Sequence, residues 1–304
     1  MTPKAPAVNS NSEAIPEEAP GIVRDVPNPW LERRILNYAH QGGALEQPSS
    51  TMHAFRAAVE NGATALEMDV HATADGQLVV CHDTTIDRTT NATGRIADID
   101  LARLRTLDNA YWFVPGVEAT FDAPVGDYAL RGRAPKDDRF SIATMREVLE
   151  AFPDVFLNLD IKETTPTIAG YEDELARILD EFGRVDDVIV ASFLDVAIER
   201  FHERAPLVHT SLATMTTMKV WQWVNFGGDP PTLLQSQVAL QVPVETHGIT
   251  VVNRAFVDAA HEIGLAVHVW TIDDEPTMQA MVALGVDGII TNLPTTLAAV
   301  LGPG

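Results

Sequence analysis

The sequence predicts a (β/α)8 barrel, an α/β fold of eight parallel strands with helices outside. Three observations carry this. Eight short apolar runs alternate with helix-patterned stretches over the last ~270 residues, the length such a barrel takes. The runs are nearly continuous in apolar residues, as a sheet covered on both faces requires. Strand–helix alternation implies parallel strands joined by crossovers. The competing doubly wound sheet lacks the glycine-rich G-x-G-x-x-G turn after its first strand.

The predicted strands are 35–40, 65–70, 155–161, 188–193, 208–213, 238–242, 266–271 and 286–291. The main helices are placed at 51–61, 171–183, 194–204, 215–226, 254–263, 276–284 and 294–301. One segment breaks the alternation. The second strand runs through His71 to Asp75-Gly76 and is followed at once by a second apolar run, 77–82. Asp-Gly between extended runs signals a hairpin. With these two as the turn residues, paired positions sum to 151, which sets Asp69 opposite His82 and Glu67 opposite Thr84. The stretch 83–154 is too long for an ordinary barrel connection. Its first part, 83–140, reads as an inserted cap over the barrel mouth, with a short helix near 101–107. A further helix follows at about 144–152. Residues 1–29, rich in Pro, Ala, Ser and Glu, read as a mobile tail ahead of the 30–304 barrel domain.

Of the 304 residues, 46% are hydrophobic, and the formal net charge is −22. So acidic a chain is unsuited to nonspecific binding of nucleic acid or anionic membranes. No apolar stretch reaches the about 18 residues of a membrane span, and no signal-peptide core is present. Stable membrane insertion is therefore not expected, and the chain reads as cytoplasmic. Cys81 is the single cysteine, which excludes an intrachain disulfide; its apolar neighbours mark it as a small buried hydrophobe.

Chemistry in such a barrel collects at strand C-termini. The first strand ends in His40. The second carries Glu67 and Asp69 on one face, and the hairpin returns at His82-Asp83. The third carries Asp160 and Lys162, again on one face; the seventh ends in Trp270 and the eighth in Thr291-Asn292. Three carboxylates in a low-dielectric mouth need a cation, and a hard divalent ion, Mg2+ or Ca2+, suits oxygen donors. Lys162 beside it makes a place for phosphate, and His40 and His82 stand ready to move protons near neutral pH. Taken singly, each feature has a structural reading: a hydrogen-bonding histidine, a solvated strand face, a simple Asp160–Lys162 ion pair.

From about Ile35 to Leu301 the chain resembles glycerophosphodiester phosphodiesterases. The resemblance lies in AHQGG (39–43), the stretch 51–83 with its Glu-x-Asp strand and His-Asp return, IDRTTNATG (86–94), LNLDIK (157–162), ASF (191–193), AHEIGLAVHVWTIDD (260–274) and GVDGIITNLPTTL (285–297). It implies a (β/α)8 barrel that hydrolyses a small phosphodiester to an alcohol and a phosphomonoester. It carries over His40 and His82 as the acid–base pair, Glu67, Asp69 and Asp160 as metal ligands, and Lys162 as a phosphate contact. The family more often has Glu where Asp160 stands. It also reads His-Arg-Gly where this chain has His40-Gln41-Gly42, and Pro-Glu-Asn-Thr where it has Pro48-Ser49-Ser50-Thr51. Gln41 can still donate a hydrogen bond to substrate, and Trp270 joins it as a candidate substrate contact. Glu46, three residues before Ser49, is either the replacement for the carboxylate missing there, as metal ligand, or an ordinary loop glutamate. The His-x-Gly-Gly-x-x-Glu pattern is similar to a branch that includes lysophospholipase D enzymes. A lysophospholipid is therefore an alternative substrate; Trp112, Phe113, Trp221 and Trp223 either line a channel for it or, as such aromatics more often do, simply belong to the core. A noncatalytic barrel that binds phosphate esters is the alternative from another class.

Overall fold

The structure, a computed structural model, describes residues 28–32 and 34–302. The expected tail lies outside the described residues as far as 27. Asn28, assigned to it, is buried, and its side-chain amide donates to the carbonyls of Val238 (2.7 Å) and Gly264 (2.9 Å).

In chain order the strands are β1 (Leu36–His40), β2 (Ala65–Ala72), β3 (Leu78–Val80), β4 (Phe156–Ile161), β5 (Val188–Ala191), β6 (His209–Ser211), β7 (Gln237–Pro243), β8 (Glu245–Thr246), β9 (Ile249–Thr250), β10 (Ala266–Trp270) and β11 (Gly288–Thr291). The helices are α1 (Met52–Glu60), α2 (Leu101–Leu104), α3 (Met145–Ala151), α4 (Tyr171–Glu181), α5 (Asp195–Arg204), α6 (Thr214–Phe226), α7 (Arg254–Glu262), α8 (Glu275–Leu284) and α9 (Pro294–Leu301). Strands β1, β2, β4, β5, β6, β7, β10 and β11 are parallel neighbours. Because β1 pairs with both β2 and β11, they close into a barrel, which excludes the open doubly wound sheet. None of the helices among the described residues is long and apolar enough to cross a membrane.

Strand alternation sorts the side chains. On β2, Leu66, Met68 and Val70 face outward into the core beneath the helices, where they join Leu157, Leu159, Val188 and Val190. Glu67, Asp69 and His71 therefore share the inner face. A matching shell on the far side packs Val267, Val269 and Ile289 against Phe256, Val257 and Met278. Trp221 and Trp223 belong to that shell, so they do not line a channel. At the N-terminal end, fully buried Trp30 packs among Leu36, Tyr38, Ile189 and Ala266. Its indole donates to His209 Nδ1 at 2.9 Å.

The hairpin forms, but its register differs from the expected one. Val70 pairs with Val80, His71 with Val79 and Ala72 with Leu78, so paired positions sum to 150. The ladder continues as Cys81 N–H donating to the Asp69 carbonyl (3.0 Å), so Cys81, and not His82, stands across from Asp69. The loop has three residues, Ala74-Asp75-Gly76. Thr73 N–H donates to the Gln77 carbonyl, and Gly76 takes the left-handed conformation (φ +75°) that such loops need. Asp75 serves as a tether: its carboxylate accepts from Thr73 Oγ1 (2.6 Å) and from Leu101 N–H in the following segment (3.0 Å).

Residues 83–140 are largely irregular, with short 3-10 turns and the four-residue α2. They hold together around Val79, Cys81, Ile86, Ile96, Leu104, Leu107 and Ile142, a small core built on the inner face of the hairpin. Burial pushes the Cys81 thiol up to about 12, in keeping with its expected role as a hydrophobe. Trp112 packs against Tyr111, Phe121 and Tyr128, and the Arg131 guanidinium lies over the Tyr128 ring at 3.6 Å. Phe113 borders a small cavity beside Ser49 and Glu118.

Candidate active site

The C-terminal ends of β1, β2 and β4 bring His40, Glu67, Asp69, Asp160 and Lys162 to one mouth, and register enforces it. His40 pairs with Glu67, and Asp69 with Asp160, as direct neighbours on adjacent strands. All three carboxylates are buried, Asp69 to 1% exposure. Burial, reinforced by the Asp69 charge, holds the Glu67 carboxyl well above the usual carboxylate range. Burial raises Asp160 to about 6 against the opposing pull of Lys162. The Lys162 ammonium lies 2.8 Å from Asp69 Oδ1 and 2.7 Å from Asp160 Oδ2. Burial works against its charge, but the two carboxylates outweigh it and hold its pKa above the ordinary lysine value.

His40 ends β1. Its Nδ1 lies 2.7 Å from Asn292 Oδ1, and its Nε2 lies 3.1 Å from Gln41 Nε2 and 3.9 Å from Glu67 Oε2. Burial lowers its pKa, partly offset by the Asn292 hydrogen bond. His82 arrives by a different route. It follows the last rung of the hairpin ladder, yet its ring centroid is 6.2 Å from that of His40. Three contacts hold it. Its Nδ1 meets Asp83 Oδ1 at 2.7 Å, Asp83 is gripped by Arg88 Nε at 2.8 Å, and its carbonyl lies 3.3 Å from the Nε2 of buried His71. The sequence reading missed His71 as a holder of His82, although Glu67-x-Asp69-x-His71 on one strand face was the available signal.

The two departures from the family pattern meet each other. Ser49 Oγ donates to Gln41 Oε1 at 2.6 Å, and Gln41 N–H donates to Glu67 Oε2 at 3.0 Å. Gln41 is buried in a left-handed turn (φ +52°), its amide fixed between Ser49 and His40. Glu46 is not brought to the carboxylates. Its Oε2 accepts from Thr295 Oγ1 (2.6 Å) and its Oε1 from Thr295 N–H (3.1 Å), at the N-terminus of α9. Free backbone N–H groups there attract an anion, which outcompetes a swing toward the mouth. Trp270, at the end of β10, stacks edge-on with Phe193 at 5.7 Å, and Lys162 Nζ lies 5.9 Å above the Phe193 ring.

A closed barrel with histidines, carboxylates and a lysine gathered at its C-terminal mouth has the arrangement of a barrel enzyme. The sequence model of the glycerophosphoryl diester phosphodiesterase family matches residues 40–296, and the chain belongs to that family. It is 29% identical over 275 residues to a glycerophosphodiester phosphodiesterase of Caldanaerobacter subterraneus subsp. tengcongensis, covering 89% of this chain and 99% of that protein. It is 27% identical over 274 residues to one from Bacillus subtilis, covering 86% and 84%. Among solved structures, the same fold occurs in the glycerophosphoryl diester phosphodiesterase domain of a Mycobacterium tuberculosis protein (TM-score 0.71, 17% identity, 88% and 98% covered). It occurs also in an Oleispira antarctica phosphodiesterase in complex with the product sn-glycerol-3-phosphate (TM-score 0.66, 18% identity, 88% and 96% covered). The protein is thus a phosphoric diester hydrolase of the glycerophosphodiester phosphodiesterase type.

Members of this family generally depend on a divalent cation. Among the described residues no three His, Cys, Asp or Glu side chains stand as a ready ligand set, because Asp69 and Asp160 turn one oxygen each to Lys162. The donors nevertheless fit such an ion. They are hard oxygens, and Asp69 Oδ2 and Asp160 Oδ1 are buried with no hydrogen-bond partner.

Proposed function

We propose that the enzyme hydrolyses glycerophosphodiesters to an alcohol and glycerol 3-phosphate with His40 and His82 as the acid–base pair. The observation that carries this is the convergence of both rings, 6.2 Å apart, on a mouth that also holds Lys162 and three buried carboxylates. Glu67, Asp69 and Asp160 would hold a divalent cation, Mg2+ or Ca2+, which supplies positive charge against the phosphoryl oxygens. Lys162 binds the phosphate from the β4 side. Burial keeps His40 neutral, so it accepts the proton of the attacking hydroxyl or water through Nε2. The remaining proton transfer falls to His82. Its Nδ1 is occupied by Asp83, which leaves Nε2 to protonate the departing alkoxide. Gln41 and Trp270 border the mouth as substrate contacts. The acidic, single-cysteine composition is the ground for taking the cytoplasm as its working compartment.

A second reading has one specific observation in its favour. Phe193, Leu194 and Val196 are exposed beside Met215 and Met218, joined by Thr214 Oγ1 donating to the Phe193 carbonyl at 2.9 Å. This apolar rim next to Trp270 would suit the acyl chain of a lysophospholipid. Release of glycerol 3-phosphate from glycerophosphocholine, with EDTA controls and a lysophosphatidylcholine arm, tests both. H40A and H82A should each lower kcat by ~10²–10⁴-fold with the fold intact. Near-normal turnover in either variant removes that histidine from the chemistry.

A further inference from the structure

The His40 ring sits in a chain of hydrogen bonds that reaches Asp273, a residue that does not touch it. Asp273 lies in the loop after β10, and its carboxylate makes three hydrogen bonds to the end of β11. Oδ1 accepts from Asn292 N–H (2.7 Å) and from Thr291 Oγ1 (3.1 Å), and Oδ2 accepts from Asn292 Nδ2 (2.8 Å). An ionised carboxylate only accepts, so the Asn292 amide must turn its NH2 to Asp273 and its oxygen to His40. That oxygen, 2.7 Å from His40 Nδ1, also only accepts, so Nδ1 must carry the ring proton. The lone pair of the neutral ring is then on Nε2, which accepts from the Gln41 amide NH2 (3.1 Å) and faces Glu67 in the mouth.

We propose that Asp273 is a positioning residue that fixes the tautomer of His40 through the Asn292 amide and so makes Nε2 the base. This rests on the reading of His40 as a base, but the tautomer itself can be measured without activity. D273N is nearly isosteric and has one definite consequence. The Asn292 backbone N–H still needs an acceptor, so the amide oxygen of the new side chain must take the Oδ1 position. Its NH2 then occupies the Oδ2 position and faces the Asn292 NH2. Asn292 relieves the clash by flipping, which presents NH2 to His40 Nδ1 and drives the ring proton to Nε2, and Gln41 turns its amide in response because Ser49 Oγ can accept as well as donate. The exchanged pair D273N/N292D reverses this. The amide NH2 at 273 donates to one oxygen of the new carboxylate at 292, and the other oxygen accepts from Nδ1–H again.

The test uses full-length protein labelled with 15N at histidine, the His40 ring signals being assigned by their loss in H40A. The expected result is an Nδ1–H ring in the parent, Nε2–H in D273N, and Nδ1–H restored in D273N/N292D. On glycerophosphocholine, kcat should fall ~10²–10⁴-fold in D273N, the scale of a misassigned tautomer, with KM little changed. The exchanged pair should recover most of that loss, which lost packing at 273 would not. An unchanged tautomer in D273N overturns the proposal, as does failure of the exchange to return the proton to Nδ1. If the tautomers follow the pattern while no variant, parent included, cleaves the diester, the relay stands and the substrate reading fails.

Discussion

At the scale of single residues, the mouth sets a definite pH behaviour. Asp160 is raised to about 6 by burial, above its ordinary 3.8. A proton therefore competes for it at pH values where an exposed aspartate is already ionised. The metal concentration needed for half-maximal activity should rise as pH falls through about 6, measured by titrating Mg2+ at fixed substrate. The sign for stability is opposite. A carboxyl with a raised folded pKa binds more protons folded than unfolded, so in cation-free protein its contribution weakens as pH climbs from about 4 to 6. A flat metal requirement across this window would remove Asp160 from the ligand set. His40, Glu67, Asp69, Asp160 and Lys162 were legible in the sequence because strand ends and period-two alternation place them. Asp273 was not, because it acts through a hydrogen bond to a distant strand end; His71 shares the face of Glu67 and Asp69, but its partner, the His82 carbonyl, is set by the hairpin loop.

At the scale of elements, the eight barrel strands fall within a few residues of their predicted bounds, since buried parallel strands announce themselves as apolar runs. The hairpin register does not follow from Asp75-Gly76. A two-residue turn would pair 74 with 77, but Thr73 and Asp75 spend their side chains on the loop itself and on the Leu101 backbone, which draws Ala74 into the loop. The small β8–β9 hairpin and the short turns of the cap escape pattern reading because they lack a sustained period. Glu46 belongs at this scale too. Its two bonds to Thr295 join the first barrel loop to the last helix. E46Q should therefore lower stability by about 0.5–1 kcal/mol, read as a shift in urea midpoint, and leave metal dependence unchanged. A rise in the metal requirement would return Glu46 to the site.

At the scale of the whole molecule, Trp30 packs into the N-terminal end of the barrel, and the segment 83–140 holds together on the β2–β3 hairpin. W30A removes a fully buried indole and its bond to His209, at a cost of about 3–5 kcal/mol. Thermal unfolding should show a large drop while kcat of the folded fraction holds, since the chemistry lies at the opposite end. A comparable loss of kcat would mean that the floor and the mouth are coupled.

The cap carries a consequence of its own. Of the two histidines proposed to move protons, His40 ends barrel strand β1, whereas His82 stands where the hairpin gives way to the segment 83–140 and is steadied there by Asp83, Arg88 and His71. The carboxylates lie on barrel strands, and Lys162 directly follows β4. Grafting a relative's 83–140 segment onto this barrel would thus transplant more than a lid over the substrate. Both histidines would stay with the recipient, but Asp83 and Arg88, which hold the His82 ring, would come from the donor; on the proposed roles, cation affinity would be kept while turnover shifted, so remodelling this segment for a new alcohol would also retune the rate.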